Sequence, residues 1–504
     1  MINKFKWLLL VSIVFAACSD DDNDSTTVVQ EPVTAGSADF SNYVALGNSL
    51  TAGFSDGALY KAGQETSWTK ILSDQFALAG GGEFRIPFVN DNVGGLLLNG
   101  MQITENRLIF NGSAPVRLIG TPTTDVTAHL TGPFNNMGVP GAKSYHLLAP
   151  NYGNIAGLPG AANPYFVRFA STPSASVVQD AVAQNPTFFT LWIGNNDVLG
   201  YATSGGDGSD PITPPTGAPG VGFDGTYNTI VGALVGTGAK GVLANIPYVT
   251  TIPFFTTVPS NPLTASAIGG GNVAVGEATI DQLNAQLYGP LKTALTAFGA
   301  GDRVNLLSAT GANPLLIKDE SLTDLSVQLT MAFTPTLGAQ TAAFYGQVFG
   351  QARHANANDL VLLTTQGAIG AAPVGIPAPL NRYGITYPLE DKHILIPTEI
   401  AELKAATDAY NATISAAAST NGLAFVDANA LLTRVHETGI PYEGYTLGSA
   451  LVFGGAFSLD GVHPTARGYA LIANEFSKAI NLTYGSTLPM VRLTDYPTIR
   501  PQSF

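Results

Sequence analysis

Four short apolar runs, each closed by glycine, proline or aspartate, constrain the fold of this chain more than any other feature. They are Tyr43–Gly47, Phe188–Gly194, Gly241–Pro247 and Gly422–Asp427. Stretches this apolar leave no polar face for water, so the runs read as strands covered on both faces, the habit of parallel sheets. Helical patterns lie between and after them. Ile400, Leu403, Tyr410, Ile414 and Ala417 share one helical face after Pro397, and Tyr469, Ile472, Phe476 and Ile480 mark a last helix with Thr465 as its N-cap. Alternation of strand and helix predicts an α/β domain with a mostly parallel sheet. In such sheets ligands bind beyond the carboxyl ends of the strands.

The chain has 504 residues, enough for two to four domains or for one domain with large insertions. With 45% hydrophobic and 12% charged residues it is too apolar to be disordered. The 56 glycines and 32 prolines indicate many loops. Two segments, about 85–132 and 199–395, depart from the strand–helix frame and read as loop-rich insertions in a domain spanning 40–484. A second small domain within 255–390 stays open. Residues 485–504 read as a C-terminal tail. A net charge of −14 argues against a nucleic-acid partner, because phosphate is repelled on average.

Lys4 and Lys6 precede an uncharged, mostly apolar stretch, Trp7–Ala17, which has the length of a signal-peptide core and is too short to span a bilayer. The stretch ends Phe15-Ala16-Ala17-Cys18, and Cys18 is the only cysteine. Residues 1–17 resemble a bacterial lipoprotein signal, which implies lipidation of Cys18, membrane attachment through it and an outer-membrane location. The alternative is an ordinary secretory signal with an incidental cysteine. The acidic run Ser19–Asp24 cannot pack, and residues 18–39 read as a flexible tether. In lipoproteins of Bacteroidetes type, acidic residues at this place resemble a signal for export to the cell surface; a simple spacer is the other reading.

Four segments carry candidate chemistry. Gly47-Asn48-Ser49-Leu50 places a serine on a tight turn after a strand, where a nucleophile would be exposed, although the same residues make ordinary turns. In Ser458-Leu459-Asp460-Gly461-Val462-His463-Pro464, an Asp three residues before a His can accept from Nδ1 and leave Nε2 as a base. Asn136–Ala142 is a sharp turn whose backbone N–H groups, at Gly138 or Gly141, could face a ligand. Gly194-Asn195-Asn196-Asp197 sets carboxamides at the end of a strand. No histidine spacing suits a metal, and Asp207 and Asp210 in a glycine-rich loop read as solvated rather than as calcium ligands. No cofactor is expected.

The order Ser, Gly, Asn, Asp-x-x-His resembles that of the SGNH hydrolases, also called GDSL lipases or esterases. Around 47–64, 136–147, 240–253 and 395–427 the chain is similar to large lipoprotein members of that family from Bacteroidetes. The resemblance implies a three-layer α/β/α, flavodoxin-like core and a carboxylic-ester hydrolase. It implies Ser49 as nucleophile, Gly141 and Asn196 as oxyanion donors together with the Ser49 N–H, His463 as base and Asp460 as its orienter. The partner it implies is an ester: an acyl lipid, an acetylated glycan or a small soluble ester. One departure stands out, since the family's Gly-Asp-Ser-Leu reads Gly47-Asn48-Ser49-Leu50 here. Phe254, Phe255, Phe344 and Phe349 are candidates to line an acyl pocket or to fill a core. The size of the insertions keeps a second possibility open, a binding lipoprotein that has the fold without the chemistry.

Overall fold

The computed structural model describes residues 32–502. The expected signal segment 1–17, Cys18 and the acidic run after it lie outside the described residues.

The four apolar runs each contribute a strand to one parallel sheet, and a fifth strand comes from the segment read as a turn. The strands are β1 (Tyr43–Gly47), β2 (Asn136–Gly138), β3 (Phe188–Trp192), β4 (Lys240–Ala244) and β5 (Ala424–Val426). Their order across the sheet is β2-β1-β3-β4-β5, with every neighbouring pair parallel. Every residue of β1 and β3 is buried, as strands without polar alternation require. β2 is an edge strand of three residues that contains a buried asparagine. Asn136 satisfies its amide on Thr51 O at 3.0 Å and Thr69 Oγ1 at 3.1 Å, so the polar residue costs little there.

The helices that flank the sheet are α1 (Ser49–Ala52), α2 (Trp68–Leu78), α3 (Val177–Val182), α4 (Asn196–Thr203), α5 (Phe223–Val235), α6 (Pro397–Thr420) and α7 (Ala466–Tyr484). Alternate residues of β3 face opposite sides. Phe188 and Trp192 meet rings of α2 and α7, namely Phe76, Trp68 and Phe476. The opposite face is covered by α3, α5 and α6, which contact β1, β4 and one another. The expected helical faces are present. Leu403, Tyr410, Ile414 and Ala417 of α6 are buried, as are Tyr469, Ile472, Phe476 and Ile480 of α7, and the Thr465 side chain caps α7 by accepting from Gly468 N. No helix among the described residues is long and apolar enough to cross a membrane.

The 85–132 segment contains two small antiparallel hairpins, Leu97–Leu98 with Met101–Gln102 and Leu108–Phe110 with Pro115–Arg117. The 199–395 segment is of two kinds. Its first part supplies α5 and β4 to the central layers. From Val258 to Ile396 the chain builds a second hydrophobic core, with Leu295, Leu316, Leu329, Phe349 and Leu389 fully buried, inside the same compact unit as the sheet.

Two expectations about the ends need correction. The tether does not extend to Asp39: Ser37 N donates to Tyr484 O at 2.8 Å, Thr34 N to Thr487 Oγ1 at 2.9 Å, and Ala38 and Phe40 are buried. Residues 485–502 are not a free tail either. Leu488 and Leu493 are buried, and the Arg500 guanidinium donates to Ala62 O at 2.8 Å. Both segments pack because they carry apolar side chains that the core accepts.

The second core holds a buried ionic cluster. Arg353 donates through Nε to Asp319 Oδ2 at 2.5 Å and through both terminal nitrogens to Asp359 at 2.7 and 2.6 Å. Burial works against these charges, while the two carboxylates and their hydrogen bonds hold the guanidinium protonated. Arg353→Ala would leave two buried carboxylates unpaired, and a loss of roughly 3–5 kcal/mol is expected. Thermal unfolding checks it; a melting temperature equal to that of the parent chain would show that the cluster is not needed for stability.

Candidate active site

The carboxyl end of β1 runs directly into α1, and Ser49 is the first residue of that helix. Asn48 takes the N-cap position and its Oδ1 accepts from Leu50 N at 3.0 Å. The departure from aspartate at this position therefore keeps the local cap, because a carboxamide oxygen accepts as a carboxylate oxygen does. The turn leaves the Ser49 N–H at an open helix N-terminus with no acceptor among the described residues.

His463 comes from the other end of the chain. Its loop is pinned by Ser458 N donating to His463 O at 2.7 Å, by the bridge between Phe457 and Pro464, and by the Thr465 cap of α7. The imidazole packs against the Phe54 ring at 4.6 Å between centroids. His463 Nε2 lies 2.9 Å from Ser49 Oγ, and His463 Nδ1 lies 2.8 Å from Asp460 Oδ2. With Nδ1–H donating to the carboxylate, Nε2 is the lone-pair nitrogen that can take the serine proton.

The Asp460 side chain keeps 12% exposure. Burial alone would push its carboxyl up, but His463 and the backbone N–H groups of His463 and Val462 hold it down to about 2. Both N–H groups donate to Oδ1 at 2.8 Å, and Ser458 Oγ donates to the same oxygen at 3.1 Å. Gly57 N donates to Oδ2 at 2.7 Å, the oxygen that also receives the imidazole.

This last bond comes from a feature without an assigned role in the sequence. Ser55-Asp56-Gly57-Ala58 is a tight turn closed at 3.1 Å on both sides, with positive φ at Asp56 (52°) and Gly57 (74°). A two-residue turn of that hand favours Asp-Gly, which is the signal that could have revealed it. The buried Asp56 carboxylate accepts from Leu459 N at 3.1 Å and Tyr60 Oη at 2.8 Å, and Asp56 N donates to Ser458 Oγ at 2.9 Å. Burial pushes the Asp56 carboxyl up, opposed by these hydrogen bonds. Ser55 Oγ adds a bond to Pro464 O at 3.0 Å. One turn thus holds the Asp460–His463 loop at several points.

The other two segments meet next to β1. Val139 N donates to Gly47 O at 3.0 Å, which carries the chain from β2 past the end of β1. Gly138 and Gly141 prove different. The Gly138 N–H is taken by Asn136 Oδ1 at 2.9 Å, and a Cβ there would lie 2.4 Å from Ala52 N, so this glycine serves close packing. Gly141 is exposed, has φ +81°, and its N–H has no acceptor among the described residues. Asn196 starts α4 and donates through Nδ2 to Ala142 O at 2.9 Å, which ties it to the residue after Gly141 and leaves its second amide hydrogen. Asp197 secures the same loop, accepting from Ser144 N at 2.8 Å and Ser144 Oγ at 2.6 Å; burial pushes its carboxyl up against those bonds.

Ser49, Asn196 and His463 line one small crevice whose other walls are mainly apolar. Phe254, Phe255, Phe344 and Phe349 do not line it. Phe255 and Phe349 are core residues, and the other two are half-buried against the cores. Asp210 accepts from Lys143 Nζ at 2.5 Å, and Asp207 accepts from the backbone of its own loop at Ser209 N. No cluster of three or more metal-ligating side chains occurs among the described residues.

The arrangement can activate a serine hydroxyl and present N–H donors to a negative oxygen. Comparison with known proteins returned no matching family model, curated protein or solved structure.

If the turn positions the catalytic loop, Asp56→Ala will slow phosphonylation of Ser49 by a fluorophosphonate on the order of 10²-fold, the cost of a misplacement near 1 Å. Asp56→Asn, which keeps an acceptor for Leu459 N, will recover most of the rate. Equal labelling rates in Asp56→Ala and the parent chain would deny the turn this role.

Proposed function

We propose that this chain is a serine-dependent carboxylic-ester hydrolase of SGNH type, attached to the cell envelope through a lipidated Cys18. The observation that carries the reading is the relay of Ser49 Oγ, His463 and Asp460 at 2.9 and 2.8 Å, drawn from segments 414 residues apart. The strand order β2-β1-β3-β4-β5 supports a flavodoxin-like core of three layers, and the site at the carboxyl ends of β1, β2 and β3 suits it. The envelope location rests on the sequence around Cys18 and the acidic run that follows.

In this reading Ser49 Oγ attacks the ester carbonyl carbon as His463 Nε2 takes its proton. The carbonyl oxygen becomes an oxyanion facing the Ser49 N–H, the Gly141 N–H and the free amide hydrogen of Asn196. Each such donor is worth roughly 10²–10³ in rate. Collapse expels the alcohol, which leaves with the proton from His463, and an acyl-enzyme remains on Ser49. Water then attacks the acyl carbon, again giving its proton to His463, and the acid departs as Ser49 is restored. Asp460 stays ionised throughout and holds the imidazole in the productive tautomer.

Ser49→Ala is expected to abolish turnover of p-nitrophenyl esters, and Asp460→Asn to lower kcat by about 10⁴-fold with the fold retained. Hydrolysis at the parent rate by Ser49→Ala would overturn the mechanism. Failure of folded parent protein to hydrolyse any ester or accept a fluorophosphonate would favour a binding lipoprotein without chemistry.

The pH dependence follows from which group must be neutral. Protonation of Nε2 removes the base, so kcat/KM will fall as the solution is acidified. Asp460 is held down to about 2, so its carboxylate stays charged in all but strong acid. Because its carboxyl lies below the ordinary 3.8, Asp460 contributes stability that is complete above that value. That stability is lost as pH falls through about 2. A rate profile that rises on acidification would contradict the assignment of His463 as base.

A further inference from the structure

We infer that the crevice beside Ser49 is an acyl subsite that admits only short acyl groups, which makes esters of small carboxylic acids the substrate class. This rests on the hydrolase reading above and goes beyond it by naming what the site accepts. The apolar walls include Trp192 at the end of β3, Leu199 on α4, Val249 and Ile252 after β4, Leu432 on the helix Ala428–Glu437, and Phe457 before the Asp460 loop, with Asn48 and Asn195 at the edge near Ser49 and Asn196. All these apolar residues but Leu199 are buried, so this part of the lining is held by core packing.

Size sets the limit. The crevice offers about 40 Å³. Pockets that take extended ligands run to about 300–1,000 Å³. The crevice is several-fold smaller than a pocket for an extended ligand, which suits a short acyl group better than a long chain.

The two steps of the reaction indicate which part of the ester sits there. The acyl group stays bonded to Ser49 through both steps. The alcohol must leave, and water must replace it within reach of His463 Nε2, which requires an open route. A small, mainly apolar recess beside Ser49 therefore suits the part that stays. Hydrocarbon is also the matching chemistry, since Trp192, Leu199, Val249, Ile252, Leu432 and Phe457 offer it little but carbon.

A series of p-nitrophenyl acetate, butyrate, hexanoate and octanoate tests the limit. In the full chain, kcat/KM should rise about fourfold for each methylene that the crevice buries, equivalent to about 0.8 kcal/mol. It should then fall by roughly tenfold or more between butyrate and octanoate as overpacking sets in. Leu432→Ala enlarges the space and should move the optimum to hexanoate or longer. Leu199→Ala, at a half-exposed position, should do the same if Leu432→Ala fails to fold. Turnover with an octanoate optimum in the parent chain, or an unchanged profile in the folded variants, would overturn the size limit and leave the hydrolase reading intact. Absence of turnover on every ester would defeat the hydrolase reading itself and the subsite with it.

Discussion

The hydrogen bond between Ser49 Oγ and His463 Nε2 is the constraint around which the molecule is organised, because it joins residues 414 positions apart to within 2.9 Å. A contact at that separation survives only where rigid elements carry both partners. Ser49 is carried by the fully buried β1 and its short helix; His463 is carried by a loop anchored to the cap of α7. The two ends are then joined side by side. Ser55 reaches Pro464, Asp56 reaches Ser458 and Leu459, Gly57 reaches Asp460, and Tyr469 Oη donates to Phe54 O at 2.6 Å. Bonds of this kind hold the imidazole in place, which is what the base of the proposed mechanism needs.

Three carboxyls in and near the site show how environment separates their roles. Asp460 faces an imidazole and backbone N–H groups, and it is held low. Asp56 and Asp197 are pushed up by burial and are answered by neutral donors, from Tyr60 and Leu459 in one case and Ser144 in the other. The first can steady a positive charge as it forms on His463. The other two hold loops in place: Asp56 the histidine loop, Asp197 the loop that follows Gly141. Titratable groups whose surroundings drive them apart in this way are the usual mark of divided labour at a site.

Much of this could be read from the sequence, for physical reasons. The strands β1, β3, β4 and β5 declare themselves because burial on both faces removes polar residues from them. α6 and α7 do so because a single buried face repeats every three to four residues. Ser49, Asp460 and His463 stood out through their order along the chain and the resemblance it carries, because each local pattern alone also makes an ordinary turn. β2 was not legible, since three residues containing a polar Asn136 carry no period, and its satisfaction by Thr51 and Thr69 is a tertiary fact. Gly141 was preferred to Gly138 on the resemblance alone; the local pattern does not separate them, and the structure adds that the Gly138 N–H is taken by Asn136 Oδ1. The second core between Val258 and Ile396 was legible only as an open possibility within 255–390, because glycine- and proline-rich connections look like loops until their apolar residues are seen to converge. The packed ends at 33–40 and 485–502 were misjudged because acidic or polar neighbours obscured a few apolar anchors, Phe40, Leu488 and Leu493.

A crystal structure of the chain after reaction with a small alkyl fluorophosphonate tests the central claim most directly. The account predicts phosphorus bonded to Ser49 Oγ, with the phosphonyl oxygen within hydrogen-bond distance of the Ser49 and Gly141 N–H groups and of Asn196 Nδ2. An adduct on another residue, or a phosphonyl oxygen turned away from those three donors, would contradict it.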